Sequence, residues 1–160
     1  MLMDYLGKER NIEQEKFLTQ KYGFDSGITN FICYGTKSTD VLGIGERAGV
    51  IYSFKEAFNR FPETEDDWND IISIATNQVP VQRSASAEQK ARSIKFPRLY
   101  SGEGWGEGFE EADVIRITYG LRPEKRDLGL EINGIASFVD MFGRLPVDTL
   151  DWNILRSIVY

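Results

Sequence analysis

The feature that most constrains this chain is a duplication. Shifted by 84 residues, the stretch 51–74 matches 135–158 at eleven of twenty-four positions. The identical pairs are Ile51/Ile135, Ser53/Ser137, Phe54/Phe138, Phe58/Phe142, Arg60/Arg144, Pro62/Pro146, Asp67/Asp151, Trp68/Trp152, Asn69/Asn153, Ser73/Ser157 and Ile74/Ile158. Unrelated segments would share about one or two at ordinary residue frequencies. Small slips carry the match upstream, through Ile32/Ile117, Tyr34/Tyr119 and Gly35/Gly120, then Leu42/Leu128 and Gly43/Gly129. Such self-similarity marks two copies of one unit. A unit of about 50 residues buries too little apolar surface to outweigh its chain entropy. The expectation is therefore one domain over residues 1–160, with repeats at about 26–77 and 111–160, a helical lead-in at 8–20 and a connector at 81–110.

Each copy reads as three helices, and no stretch keeps the alternation of a strand. The first is short, with Ile28, Phe31 and Ile32 stopped at Gly35, or Glu111 through Val114 and Ile117 stopped at Gly120. The second sets Val50, Ile51, Phe54, Ala57, Phe58 and Phe61 on one stripe, and Ile132, Ile135, Phe138, Val139, Phe142 and Leu145 in the other copy. Pro62 and Pro146 are expected to end these helices, with Arg60 and Arg144 in their last turns. The third opens on Thr64 with Asp67, or Asp148 with Asp151, a polar cap with an acid in the first turn. Trp68 and Trp152 then join the buried faces, Trp152 stapled by Val147. In the connector, Ser86 with Gln89 suits the cap of a short helix. The predicted class is all-α: two tandem three-helix repeats packed into one pseudo-two-fold helical domain.

Composition excludes several chemistries. With no histidine there is no imidazole base, no Ser-His-Asp or Cys-His pair, and no common zinc ligand. One cysteine, Cys33, allows no internal disulfide and reads as a small core hydrophobe in a helix. A formal charge of −6 with scattered basic residues argues against nucleic acid, because counterion release needs a field of Lys and Arg. The tightest basic group, Arg122, Lys125 and Arg126, reads as three charges on a loop. No run approaches the ~18–20 apolar residues of a membrane span, and the first residues lack the basic n-region of a signal peptide.

Four places invite a functional reading. The duplicated Arg, Asp, Trp and Asn recur in identical supports and are expected to be structural. The glycine-rich loop 102–108 presents Glu103, Trp105 and Glu107 as a possible ligand-contact loop for Ca²⁺ or a sugar ring, without the ligand spacing of an EF-hand. Gly43 to Gly49 crosses a loop into a helix, with Glu46 placed to serve the helix dipole. Glu15, Asp25 and Thr29 follow the Glu–Asp–Thr order of phage lysozymes, without that family's spacing or its glycine-rich hairpin. No catalytic, cofactor-binding or metal-binding residue is assigned.

The blocks Leu42 to Ile51, Phe58 to Pro62 with Trp68, Ala112 to Pro123 and Phe142 to Tyr160 resemble a helical module of uncharacterised, envelope-type proteins from candidate-phyla-radiation (patescibacterial) genomes. The resemblance spans roughly residues 9–160. It departs at Asn77 to Pro80, where similar sequences carry Gly-Arg-Trp-Pro, and at the loop 102–108. It implies an exported or envelope location and brings no catalytic residues. The expected function is a non-enzymatic structural or protein-interaction module with a protein or cell-surface partner and no cofactor. The alternative is a muramidase-like cell-wall glycan hydrolase using carboxylates. Oligomeric state is left open.

Overall fold

The computed structural model describes residues 9–94 and 111–160. These form eight α-helices and a short 3-10 turn, Lys37–Thr39, with no strand among the described residues. In order they are α1 Ile12–Tyr22, α2 Ser26–Tyr34, α3 Ile44–Phe58, α4 Glu65–Ala75, α5 Ala85–Ser93, α6 Glu111–Tyr119, α7 Leu128–Phe142 and α8 Thr149–Val159. No helix among the described residues is long and apolar enough to cross a membrane.

Local chemistry sets the boundaries. Asn11, Asp25, Thr64, Ser84, Asp127 and Asp148 each accept an amide of the first turn with a side-chain oxygen. Thr64 and Asp67 cap each other reciprocally. The lead-in helix is Ile12–Tyr22, shifted from the expected 8–20 because Asn11 supplies the cap. The connector helix opens on Ser84, two residues before the expected Ser86, so the eight helices are three per copy, the lead-in and the connector helix.

Pro62 and Pro146 do not stop α3 and α7. Both helices end four residues earlier, where Asn59 (φ 58°) and Gly143 (φ 69°) turn left-handed. Phe61, Leu145, Arg60 and Arg144 therefore lie beyond the helices. Asn tolerates the left-handed region as few other residues do.

The corresponding helices α2/α6, α3/α7 and α4/α8 share lengths of 9, 15 and 11 residues. Helices α3 and α7 align without a slip, so Leu42, which precedes the cap, is not the counterpart of Leu128, the first residue of α7. Packing is less even. Helix α3 lies against α2, α4, α5, α6 and α8, whereas the close packing of α7 is with α8. A two-fold arrangement would set α7 on α2 and α4 as α3 is set on α6 and α8, and the packing does not show it.

One core cluster joins Ile28, Phe31, Val50, Ile51, Phe54, Trp68, Ile71 and Ile74 to Ile115, Tyr119 and Leu121 of the second half. A smaller one gathers Ala91, Val114, Ile117, Phe138, Ile154 and Leu155. Cys33 is buried, as expected. Ile132 and Leu145, foreseen in the second core stripe, are exposed, because among the described residues no other helix packs closely along that side of α7.

Candidate functional site: an arginine-lined cleft

The duplicated polar residues form matching scaffolds. Arg60 Nη2 donates to Asp67 Oδ1 at 2.8 Å and Arg144 Nη2 to Asp151 Oδ1 at 2.9 Å. Each guanidinium also lies 5.5 Å from a ring, Phe54 or Phe138. The arginines, then backbone amides of the cap, hold both aspartates below the usual carboxylate range despite burial. Buried Asp67 also accepts from Gln82. Each pair ties the end of one helix to the start of the next.

A second scaffold escaped the sequence comparison because its parts are far apart in the chain. Three helices begin with an arginine, a polar cap and a glutamate four residues after the cap: Arg10-Asn11 with Glu15, Arg83-Ser84 with Glu88, and Arg126-Asp127 with Glu131. In each, the cap amide donates to a tyrosine hydroxyl at the end of the following helix: Tyr34 at 2.8 Å, Tyr119 at 2.8 Å and Tyr160 at 2.9 Å. That hydroxyl donates onward to the glutamate, which the arginine pairs. The clasp fastens three antiparallel hairpins, α1/α2, α5/α6 and α7/α8. In α3 the equivalent position is Arg47, which is buried and donates to the carbonyls of Ile32 and Cys33 at 2.9 and 3.0 Å.

Glu15 belongs to such a clasp. Arg10 and Tyr34 hold its carboxyl down, the opposite of what a glycosidase general acid needs. Asp25 caps α2 and Thr29 is buried in the core. Glu103, Trp105 and Glu107 lie outside the described residues. Among the described residues, no group of three or more acidic or thiol side chains is placed to hold a metal ion.

The concave feature of interest lies where α3, the segment 120–127 and α8 meet. It encloses about 500 Å³, lined by Glu46, Arg122, Arg126, Trp152, Asn153 and Arg156 among others. Glu46 is not spent on the helix dipole alone. It lies 2.9 Å from Arg122 Nε, 3.6 Å from Arg126 Nη2 and 3.8 Å from Arg156 Nη2. Arg122, read from the sequence as a loop charge, has a side chain only 1% exposed. Burial, then the neighbouring Arg156, push its guanidinium down to about 9, which still leaves a cation at neutral pH. Burial likewise lowers Arg156. Gly49 makes the room: a Cβ there would stand 2.5 Å from Arg122 Nη2.

Asn153 anchors the cleft floor. Its Nδ2 donates to the Ile117 carbonyl at 3.1 Å, and its Oδ1 accepts from Arg156 at 3.1 Å and Ser53 at 3.2 Å. Gly120, left-handed at φ 68°, leaves space for this junction. Trp152, expected in the core, stands 39% exposed at the cleft, and its supposed staple Val147 is exposed as well. Its duplicate Trp68 is 8% exposed and packs on Phe31.

The signal that marks this site in the sequence is where the copies disagree. Glu46, Gly49 and Arg156 face Leu130, Asn133 and Ile72 at the corresponding positions. The arrangement is suited to binding: cations set in a floor, with an aromatic face beside them. No family model matches the chain, and no curated protein or solved structure matches it.

Proposed function

We propose that this chain is a non-enzymatic interaction module of the cell envelope that docks a protein partner on the outer face of α7. One observation carries the reading: α3 packs against five other helices, while its counterpart α7 leaves Leu128 61% and Ile132 67% exposed. With half-buried Ile135 and Val139 they form a line at spacings of four, three and four, the stripe by which one helix receives another. Scattered exposed apolar residues are ordinary, whereas an aligned set on one helix marks a contact surface. The two halves are read as tandem copies stacked one after the other, in place of the two-fold arrangement expected from sequence, so that the second covers α3 of the first and α7 is the free end. The envelope location rests on the family resemblance.

The test compares the wild type with a Leu128→Asp/Ile132→Asp double variant in co-sedimentation with envelope fractions of the source cells. Both side chains already face solvent, so thermal stability should hold within about 2 °C. At least tenfold weaker co-sedimentation of the variant supports the reading. Equal binding, or none by the wild type, overturns it.

A further inference from the structure

The arginine cleft is separate from the α7 face and has its own chemistry. Three guanidinium groups, Arg122, Arg126 and Arg156, share the single carboxylate of Glu46. A second carboxylate, Glu131, is taken up by Arg126 at 2.8 Å and by Tyr160. Three guanidinium groups thus meet three carboxylates, Glu46, Glu131 and Asp148, in a site whose floor is withdrawn from water. Asp148, also on the lining, accepts the amide of Asp151 as the α8 cap.

The donors are incompletely used. Arg122 Nε is buried and 2.9 Å from Glu46 Oε2, yet its N–H has no hydrogen-bond acceptor in line. Arg156 makes one hydrogen bond among the described residues, to Asn153, and stands 3.8 Å from Glu46. Burying like charges is unfavourable unless anions compensate them. A planar guanidinium prefers a planar, two-oxygen acceptor. Beside these donors the exposed indole of Trp152 and the side chain of Val147 supply an apolar wall.

We infer that this cleft binds a carboxylate carried on an apolar or aromatic body, the carboxylate on Arg156 with the buried charge of Arg122 behind it, and the body against Trp152. Inorganic anions satisfy only half of the site, and neutral apolar molecules the other half. The same chemistry occurs in a free small organic acid and in the C-terminal carboxylate of a peptide, and the cleft volume admits either.

The test titrates the full chain with N-acetyl-phenylalanine, its amide, the peptide acetyl-Gly-Gly-Phe as free acid, and inorganic phosphate, at constant ionic strength. The readout is the indole N–H resonance of Trp152, assigned by its loss in Trp152→Phe. Saturable shifts with either acid, and at least tenfold weaker binding of the amide, are expected. A peptide acid that binds tenfold tighter than the amino acid identifies a chain terminus as the ligand; the reverse identifies a small acid. Arg156→Gln should weaken the acid at least tenfold, and Arg144→Gln, outside the cleft, should not. If Arg156→Gln does not fold, Trp152→Ser replaces it with the same expectation, read by isothermal titration calorimetry, which needs no indole. Equal binding of acid and amide, equal binding of phosphate, or no shift with any probe overturns the inference.

Discussion

Trp68 and Trp152 occupy the same position in the two copies, and only tertiary packing distinguishes them. Replacing each with alanine therefore isolates burial from local sequence. Trp68 is 8% exposed and packs its ring 5.7 Å from Phe31. Its removal leaves a large cavity, and a loss of about 3–5 kcal/mol is expected. Trp152 at 39% exposure keeps about a third more of its surface in water. On an indole of roughly 250 Å² that third is ~80 Å², and at ~25 cal/mol per Å² it lowers the cost by about 2 kcal/mol. Trp152→Ala should thus lose only about 1–2 kcal/mol, since the open cleft also lets neighbours and water refill the space. Urea unfolding followed by far-UV circular dichroism measures both, with equal m-values as the check that the unfolded states match. Losses within about 0.5 kcal/mol of each other, or a larger loss for Trp152, would refute the assignment of one indole to the core and the other to the cleft.

Glycines at the two helix ends give a second paired comparison. Gly120→Ala forces a left-handed alanine and sets its Cβ 2.4 Å from Asn153 Oδ1, while Gly143→Ala meets nothing within 4 Å. In thermal melts the second should lose about 1–2 kcal/mol from backbone strain alone, and the first clearly more. Tyr119→Phe leaves the buried Glu88 and the Ser84 amide each short of a partner and should cost about 1–3 kcal/mol; Tyr160→Phe, on the more exposed clasp, should cost less than about 1 in the same urea titration. Acid should also reveal the caps. Asp67 and Asp151 bind protons less readily folded than unfolded, so their contribution is present above about pH 4 and fades as pH falls toward the folded values. Arg60→Gln removes the main cause of the Asp67 depression, so urea midpoints at pH 7, 5 and 3 should start lower and fall less steeply; an unchanged slope would show that the pair does not carry the acid sensitivity.

The sequence by itself determined the local parts. Periodicity gave the helices, Thr64 and Asp148 gave their caps, Gly35 and Gly120 gave their stops, and the duplicated Arg60/Asp67 and Arg144/Asp151 became the same ion pair twice. These features depend on a few neighbouring residues, and identical neighbours impose identical geometry. What the tertiary structure decided is which faces meet. Identical tryptophans differ in exposure, Asn69 faces solvent while Asn153 is buried, and α3 packs on five helices while the close packing of α7 among the described residues is with α8. Burial depends on what arrives from distant parts of the chain, and a helical stripe specifies that it wants cover without specifying which helix supplies it. The cleft illustrates the same limit. Glu46, Arg122 and Arg156 are far apart in sequence, and only packing α8 against α3 turns three ordinary surface charges into one buried network.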